Sequence, residues 1–172
     1  TESQYGFIGI VDHTADGKPL LRVPTISNIS WNADTRDWYQ RQKASPEGLV
    51  FHNLDNLFGR TVTHDEVVCT NNPAAHHASK GTPKGHPALE SFLGLPLRFN
   101  NEVVGMIGLG NRDDGFDESL VQLLTPLTTT LGTLIHARSV EDRRLKAEAQ
   151  LFTQATQDSL RDRKSTRLNS SH

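Results

Sequence analysis

The segment Glu102–Gly110, EVVGMIGLG, constrains this chain most: it is apolar on both faces of any strand it forms. A strand of that kind lies inside a sheet covered on both sides. Gly105, Gly108 and Gly110 weaken it unless something approaches its backbone closely, such as a helix or a ligand. Leu89–Phe99, LESFLGLPLRF, precedes it across Asn100-Asn101, a pair that tolerates the left-handed conformations of a tight hairpin. Tyr5–Val11, YGFIGIV, reads as a further central strand. Leu20–Ile29 follows a turn marked by Asp16-Gly17, and Pro24 places that strand at an edge or a bulge.

Helical signals fall between and after these strands. Asn32 caps a helix of about three turns that holds Trp38 and Tyr39 and ends before Ser45-Pro46-Glu47-Gly48. In Asn53–Arg60, Leu54, Leu57 and Phe58 share a face, as in a short helix or turn, and Val67–Thr70 is a brief strand. Asp117 or its neighbourhood caps a long helix whose period runs through Leu120, Leu123, Leu124, Leu127, Leu131, Leu134 and Ile135, with a kink expected at Pro126. Leu131 and Ile135 either cover the sheet or form a dimer seam. Beyond Arg138 the helix becomes charged and its apolar residues thin out. The fold class is therefore α/β (α+β): a central antiparallel sheet of five or six strands flanked by helices.

Composition narrows the functional classes. The 172 residues suit one ordinary domain, and 35% hydrophobic with 22% charged residues is a globular mixture. Net charge is −2, and residues 161–172 carry four basic residues and one acid, so the rest stands at −5. An acidic body lacks the electrostatic footprint of a nucleic-acid binder. No signal peptide or bilayer-spanning run is visible, and a single cysteine, Cys69, suits a reducing compartment; the expected location is cytoplasmic. Residues 161–172 lack an apolar period and resemble a translated adapter sequence, which sets them apart as a non-native tail. The organisation expected is one folded domain over 1–137, a helical connector over 138–160 and that tail.

The stretch Asn71–His86, NNPAAHHASKGTPKGH, has two prolines, two glycines and no large apolar residue over sixteen positions. Loops of this length in compact domains bind, cover or gate something. It carries three histidines, His76, His77 and His86.

The order of elements, with YGFIGIV, GHPALESFLGLPL, EVVGMIGLGNR and GFDESLVQLLTPL, resembles the GAF family of sensory modules, in particular those of bacterial sensor histidine kinases. The resemblance covers about Tyr5 to Ala137. It implies a pocket on one sheet face, walled by the middle helices and the long loop. Carried onto this chain, the wall takes in Trp31, Trp38, Phe51, Leu54, Phe58 and Phe92, with Asn71, Asn72, His76, His77 and His86 as polar candidates. The family binds cyclic nucleotides, bilins and haem among others, so it names no cofactor for this chain.

Sharper chemistry finds little support in the residues. Bilin-binding relatives place a cysteine just before a histidine; here the sequence is Lys84-Gly85-His86-Pro87. His76, His77, His86 and Cys69 are metal-ligand types without CxxC or HExxH spacing, so no metal is expected. Some relatives reduce methionine sulfoxide, but Cys69 has no resolving thiol and reads as a small buried hydrophobe. GMIGLG is not a dinucleotide fingerprint; Lys80, Lys84 and Arg98 are cations that could meet a phosphate. The expectation is a non-catalytic domain that binds an unidentified small molecule, acts as a homodimer on an output domain, and engages neither nucleic acid nor membrane. A cysteine- or histidine-dependent enzyme of the same fold and a structural dimerisation module are the alternatives.

Overall fold

The computed structural model describes residues 1–27, 33–45, 48–82, 86 and 88–169, with backbone alone for Asp34, Trp38, Gln42, Lys43 and 158–169. The elements are β1 (Ser3–His13), β2 (Pro19–Ile26), α1 (Ala33–Ala44), β3 (Leu49–Phe51), α2 (Leu57–Thr63), β4 (Val68–Thr70), a 3-10 turn at Pro73–Ala75, β5 (Phe92–Phe99), β6 (Glu102–Arg112) and α3 (Glu118–Asn169). Six strands form one sheet in the order β3-β2-β1-β6-β5-β4. Every neighbouring pair is antiparallel. The expected cap Asn32, the end of the second strand at Ile29 and the stop at Pro46-Glu47 lie outside the described residues.

Local chemistry explains the turns. Asn100 and Asn101 take φ of 49° and 65°, the two left-handed positions of a tight hairpin between β5 and β6. Gly17 takes φ of 79° in the β1–β2 turn, where the Thr14 amide donates to the Lys18 carbonyl at 2.9 Å. Pro24 is on neither edge of the sheet, because β3 flanks β2. It sits beyond the β3 ladder, which ends at Val23, and opposite a register shift in β1 between Ile8 and Ile10. A residue without an N–H thus falls where no ladder bond is required of it.

The sheet is buried on both faces in its centre, as EVVGMIGLG and FLGLPLRF require. Alternation splits the core in two. Phe92 and Met106 join Leu21, Val23, Leu49, Leu54, Leu57, Val62 and Val68 on the face that meets α2. Leu93, Leu95, Leu97, Ile107 and Phe116 lie on the other, under Leu120, Val121, Leu124, Leu131 and Ile135 of α3. Leu131 and Ile135 therefore cover the sheet, whereas Leu123, Leu127 and Leu134 are exposed. Gly132 is needed here, since a Cβ would run into the Arg98 backbone of β5. Asp117 caps α3, its carboxylate accepting from the Leu120 amide at 2.9 Å, and the helix continues through Pro126.

Three boundaries differ from expectation. Leu89–Ser91 lies outside β5, because Asn111 holds it by its side chain: the Asn111 amide donates to the Ala88 carbonyl at 2.9 Å and accepts from the Glu90 amide at 2.8 Å. Residues 53–56 form a bend before α2, and Leu49–Phe51 is a short edge strand. Residues Thr1–Ile135 make one compact unit; His136–His172 are a second, helical to Asn169, with Arg144 bridging Glu141 and Glu148 at 2.8 and 2.6 Å.

Gly108 marks how closely β1 and β6 pack: a Cβ there would strike the Phe7 ring. Gly108→Ala is expected to destabilise the domain by about 1–3 kcal/mol, seen as a lower urea midpoint with unchanged m-value.

Candidate functional site

On the α2 face of the sheet the first unit holds a cavity of about 860 Å³. Its floor is Tyr5, Gly6 and Phe7 of β1 with Gly108, Leu109 and Gly110 of β6. Its sides come from Ile26 and Ser27, from residues 50–53 and 55–58, from Pro73, Ala74 and residues 79–82, and from His86, Ala88, Leu89 and Phe92. The Phe7 ring occupies the place a residue-108 side chain would take, and a side chain at 110 would press against Leu89. The aromatic wall is continuous: Phe58 stands edge-on to Phe7 with centroids 6.1 Å apart and lies 4.9 Å from Phe51. Such T-shaped and tilted contacts suit the quadrupoles of the rings.

Each wall is placed by a local device. Asn56 caps α2, its side-chain oxygen accepting from the Gly59 amide at 2.9 Å while its amide donates to the Asn53 carbonyl at 2.9 Å. The Asn53 side chain in turn accepts from the Asp55 amide at 2.9 Å. This chain of amides fixes the first turn of α2, which delivers Phe58 to the cavity. At the end of β2, Ser27 and Gly6 exchange two bonds, the Ser27 amide donating to the Gly6 carbonyl at 2.7 Å and the Gly6 amide to Ser27 Oγ at 3.0 Å. Across the mouth, Lys80 Nζ lies 3.4 Å from Asp55 Oδ2.

Of the candidate residues, Phe51, Phe58, His86 and Phe92 line the cavity. Trp31 lies outside the described residues, as does the side chain of Trp38 on α1. Asn71, Asn72, His76 and His77 are not among the lining residues. Asn71 instead clamps the turn before α3: its amide donates to the Phe116 carbonyl at 3.1 Å and its oxygen accepts from the Phe116 amide at 2.8 Å. Asn72 caps the 3-10 turn, accepting from the Ala75 amide at 3.3 Å. His76 and His77 stack with centroids 4.4 Å apart in the loop between the two lining stretches at 73–74 and 79–82. His76 Nδ1 accepts from the Ala78 amide at 3.2 Å, which places the ring proton on Nε2. Burial, then His77 and Arg60, hold its pKa below the ordinary 6.5, with Glu66 opposing them.

Phe7, Asn53, Asp55 and Asn56 were missed as site residues. The legible signal for Asn56 was an Asn immediately before the first apolar turn of a helix. Among the described residues no three His, Cys, Asp or Glu side chains gather as a metal-binding group. Cys69 is exposed on β4 and outside the cavity lining. Partial desolvation first, then the Asp117 and Glu118 carboxylates, raise its thiol above the ordinary value.

Known proteins share this fold. A family model described as GAF domain matches residues 1–136. The chain belongs to the GAF family. Among solved structures, the GAF domain of a phosphoenolpyruvate-protein phosphotransferase from Acinetobacter is similar with a TM-score of 0.59 and 18% identity, covering 82% of this chain and 76% of that one. A type II free methionine-R-sulfoxide reductase from Thermoplasma acidophilum gives 0.58 and 12%, over 79% and 81%. The GAF-B domain of DevS from Mycobacterium smegmatis gives 0.53 and 16%, over 83% and 87%. These likenesses concern the fold. In sequence, the methyl sulfide methyltransferase-associated sensor of Methanosarcina acetivorans is 33% identical over 87 residues, half of this chain but only 9% of the length of that protein. No helix among the described residues of this GAF chain is long and apolar enough to cross a membrane.

Two outcomes follow from the loop chemistry. Asn71→Ala removes two partly buried bonds and is expected to cost about 2 kcal/mol in urea unfolding. For His76 the folded pKa lies below the unfolded one, so its contribution is complete above about pH 6.5 and is lost as pH falls beneath it. An NMR titration of His76 should give a midpoint below 6.5, and His76→Gln should flatten the acid limb of stability.

Proposed function

We propose that this GAF domain is a non-catalytic sensory module that holds a small, mostly apolar molecule between the sheet and the 53–58 and 73–82 segments. The observation that carries the reading is the 860 Å³ space lined by Phe7, Phe51 and Phe58 above the β1 and β6 strands. That size and lining suit a small-molecule site, apolar with a few polar groups at its rim. An unliganded structural module would fill this space with its own side chains. The name of the Methanosarcina relative, a sensor, agrees with this reading.

The route outward runs through β6. Its Gly108 and Gly110 face the guest, while Ile107, one residue along, packs in the cluster beneath α3. A ligand that favours one position of β6 biases α3 by population shift. In the parent protein, a cytoplasmic signalling protein of the histidine-kinase type, α3 is the connector to an output domain. The exposed Leu123, Leu127 and Leu134 supply an apolar row for a second copy in a homodimer.

A sulfoxide-reducing enzyme draws less support. A catalytic thiol is activated by a lowered pKa, whereas Cys69, outside the cavity, is shifted upward by partial desolvation first and then by Asp117 and Glu118.

Mass spectrometry and an absorption spectrum of what co-purifies with the chain would identify the guest. A ligand at about a hundred times its Kd should raise the melting temperature by roughly 8 °C. Leu89→Trp, which fills the cavity, should abolish that rise while the unliganded chain still melts cooperatively. Failure to find any co-purifying or stabilising molecule would remove the sensing role.

A further inference from the structure

Resting on that reading, we propose that the guest carries one anionic head group and that Lys80 is the residue that selects it. Among the described lining residues Lys80 is the only Lys or Arg, and Asp55 the only Asp or Glu. They meet across the mouth at 3.4 Å, Lys80 from the long loop and Asp55 from the bend before α2. Every other described wall of the cavity is apolar or neutral-polar, apart from His52 and His86.

The pair is solvent-accessible, with side chains 56% and 79% exposed. Ion pairs of this kind contribute little, so replacing one partner costs little. A carboxylate or sulfonate on the guest can take the place of the Asp55 carboxylate at Lys80 Nζ. Once there, it lies closer to the apolar wall and is screened less than Asp55 is in water. Asp55 is the stand-in that holds Lys80 over the mouth until such a group arrives.

The side of the mouth that Lys80 occupies supports an anion over a cation. Ser79 and Thr82, which also line the cavity, are its hydroxyl-bearing neighbours in sequence, and Gly81 turns the chain there with φ of 78°. Asp55 is the more exposed of the two, and its neighbour Asn53 spends its side-chain oxygen on the Asp55 amide. An anion at Lys80 would also draw residues 79–82 onto the guest, joining head-group recognition to closure of the loop.

The test uses two fluorescent probes with the same rings, anilinonaphthalene sulfonate and the uncharged N-phenylnaphthylamine, titrated into the full chain. Both should bind, and both should lose binding in Leu89→Trp, which ties them to the cavity. The sulfonate should bind about fivefold more tightly than the neutral probe. Lys80→Ala should remove that preference and leave the neutral probe unchanged, Lys80→Arg should keep it, and Asp55→Asn should strengthen the sulfonate alone. Equal affinities in the wild-type chain, equal loss of both probes in Lys80→Ala, or weaker sulfonate binding in Asp55→Asn would overturn the proposal while leaving the cavity reading intact. If neither probe binds, the cavity reading fails and this proposal falls with it.

Discussion

Burial of β6 on both faces is the constraint around which the remaining structure is arranged. One face gives Met106 to the cluster beneath α2 and presents Gly108 and Gly110 to the cavity. The other gives Ile107 to the cluster beneath α3. Because side chains alternate along a strand, a single residue separates the cavity side from the α3 side.

The cavity exists because small residues and large rings are traded across the β1–β6 ladder. Phe7 pairs with Gly108 in the register, so the ring has room to lie flat where a second side chain would stand. Phe58 then meets Phe7 from α2 and Phe51 from the sheet edge. Together the rings make one continuous wall of the cavity. Lys80 and Asp55, the charged pair among the described lining residues, both stay largely exposed to water.

Much of the fold was legible because local chemistry and global need agreed. Asn100-Asn101 announced a left-handed hairpin, Asp117 a helix cap, and the apolar runs a sheet covered on both sides. The site was legible only in part. Phe51, Phe58, His86 and Phe92 line the cavity, but Asn71 and Asn72, chosen for their polarity, spend their side chains on backbone groups. An amide that binds a ligand and one that clamps a turn have the same letter and the same loop-like neighbours. Leu49–Phe51 escaped notice because three residues carry no readable alternation, and its pairing depends on Leu21–Val23, far away along the chain.

Periodicity, turn residues and the doubly apolar strands thus determined by themselves that the chain forms an antiparallel sheet with helical cover. They act over a few residues, where backbone sterics and side-chain alternation decide the outcome. Only the tertiary structure decided which α3 leucines cover the sheet and which face solvent, that Phe7 takes the space above Gly108, and that Lys80 meets Asp55. Those are contacts between segments distant in sequence, and no local pattern encodes the register that brings them together.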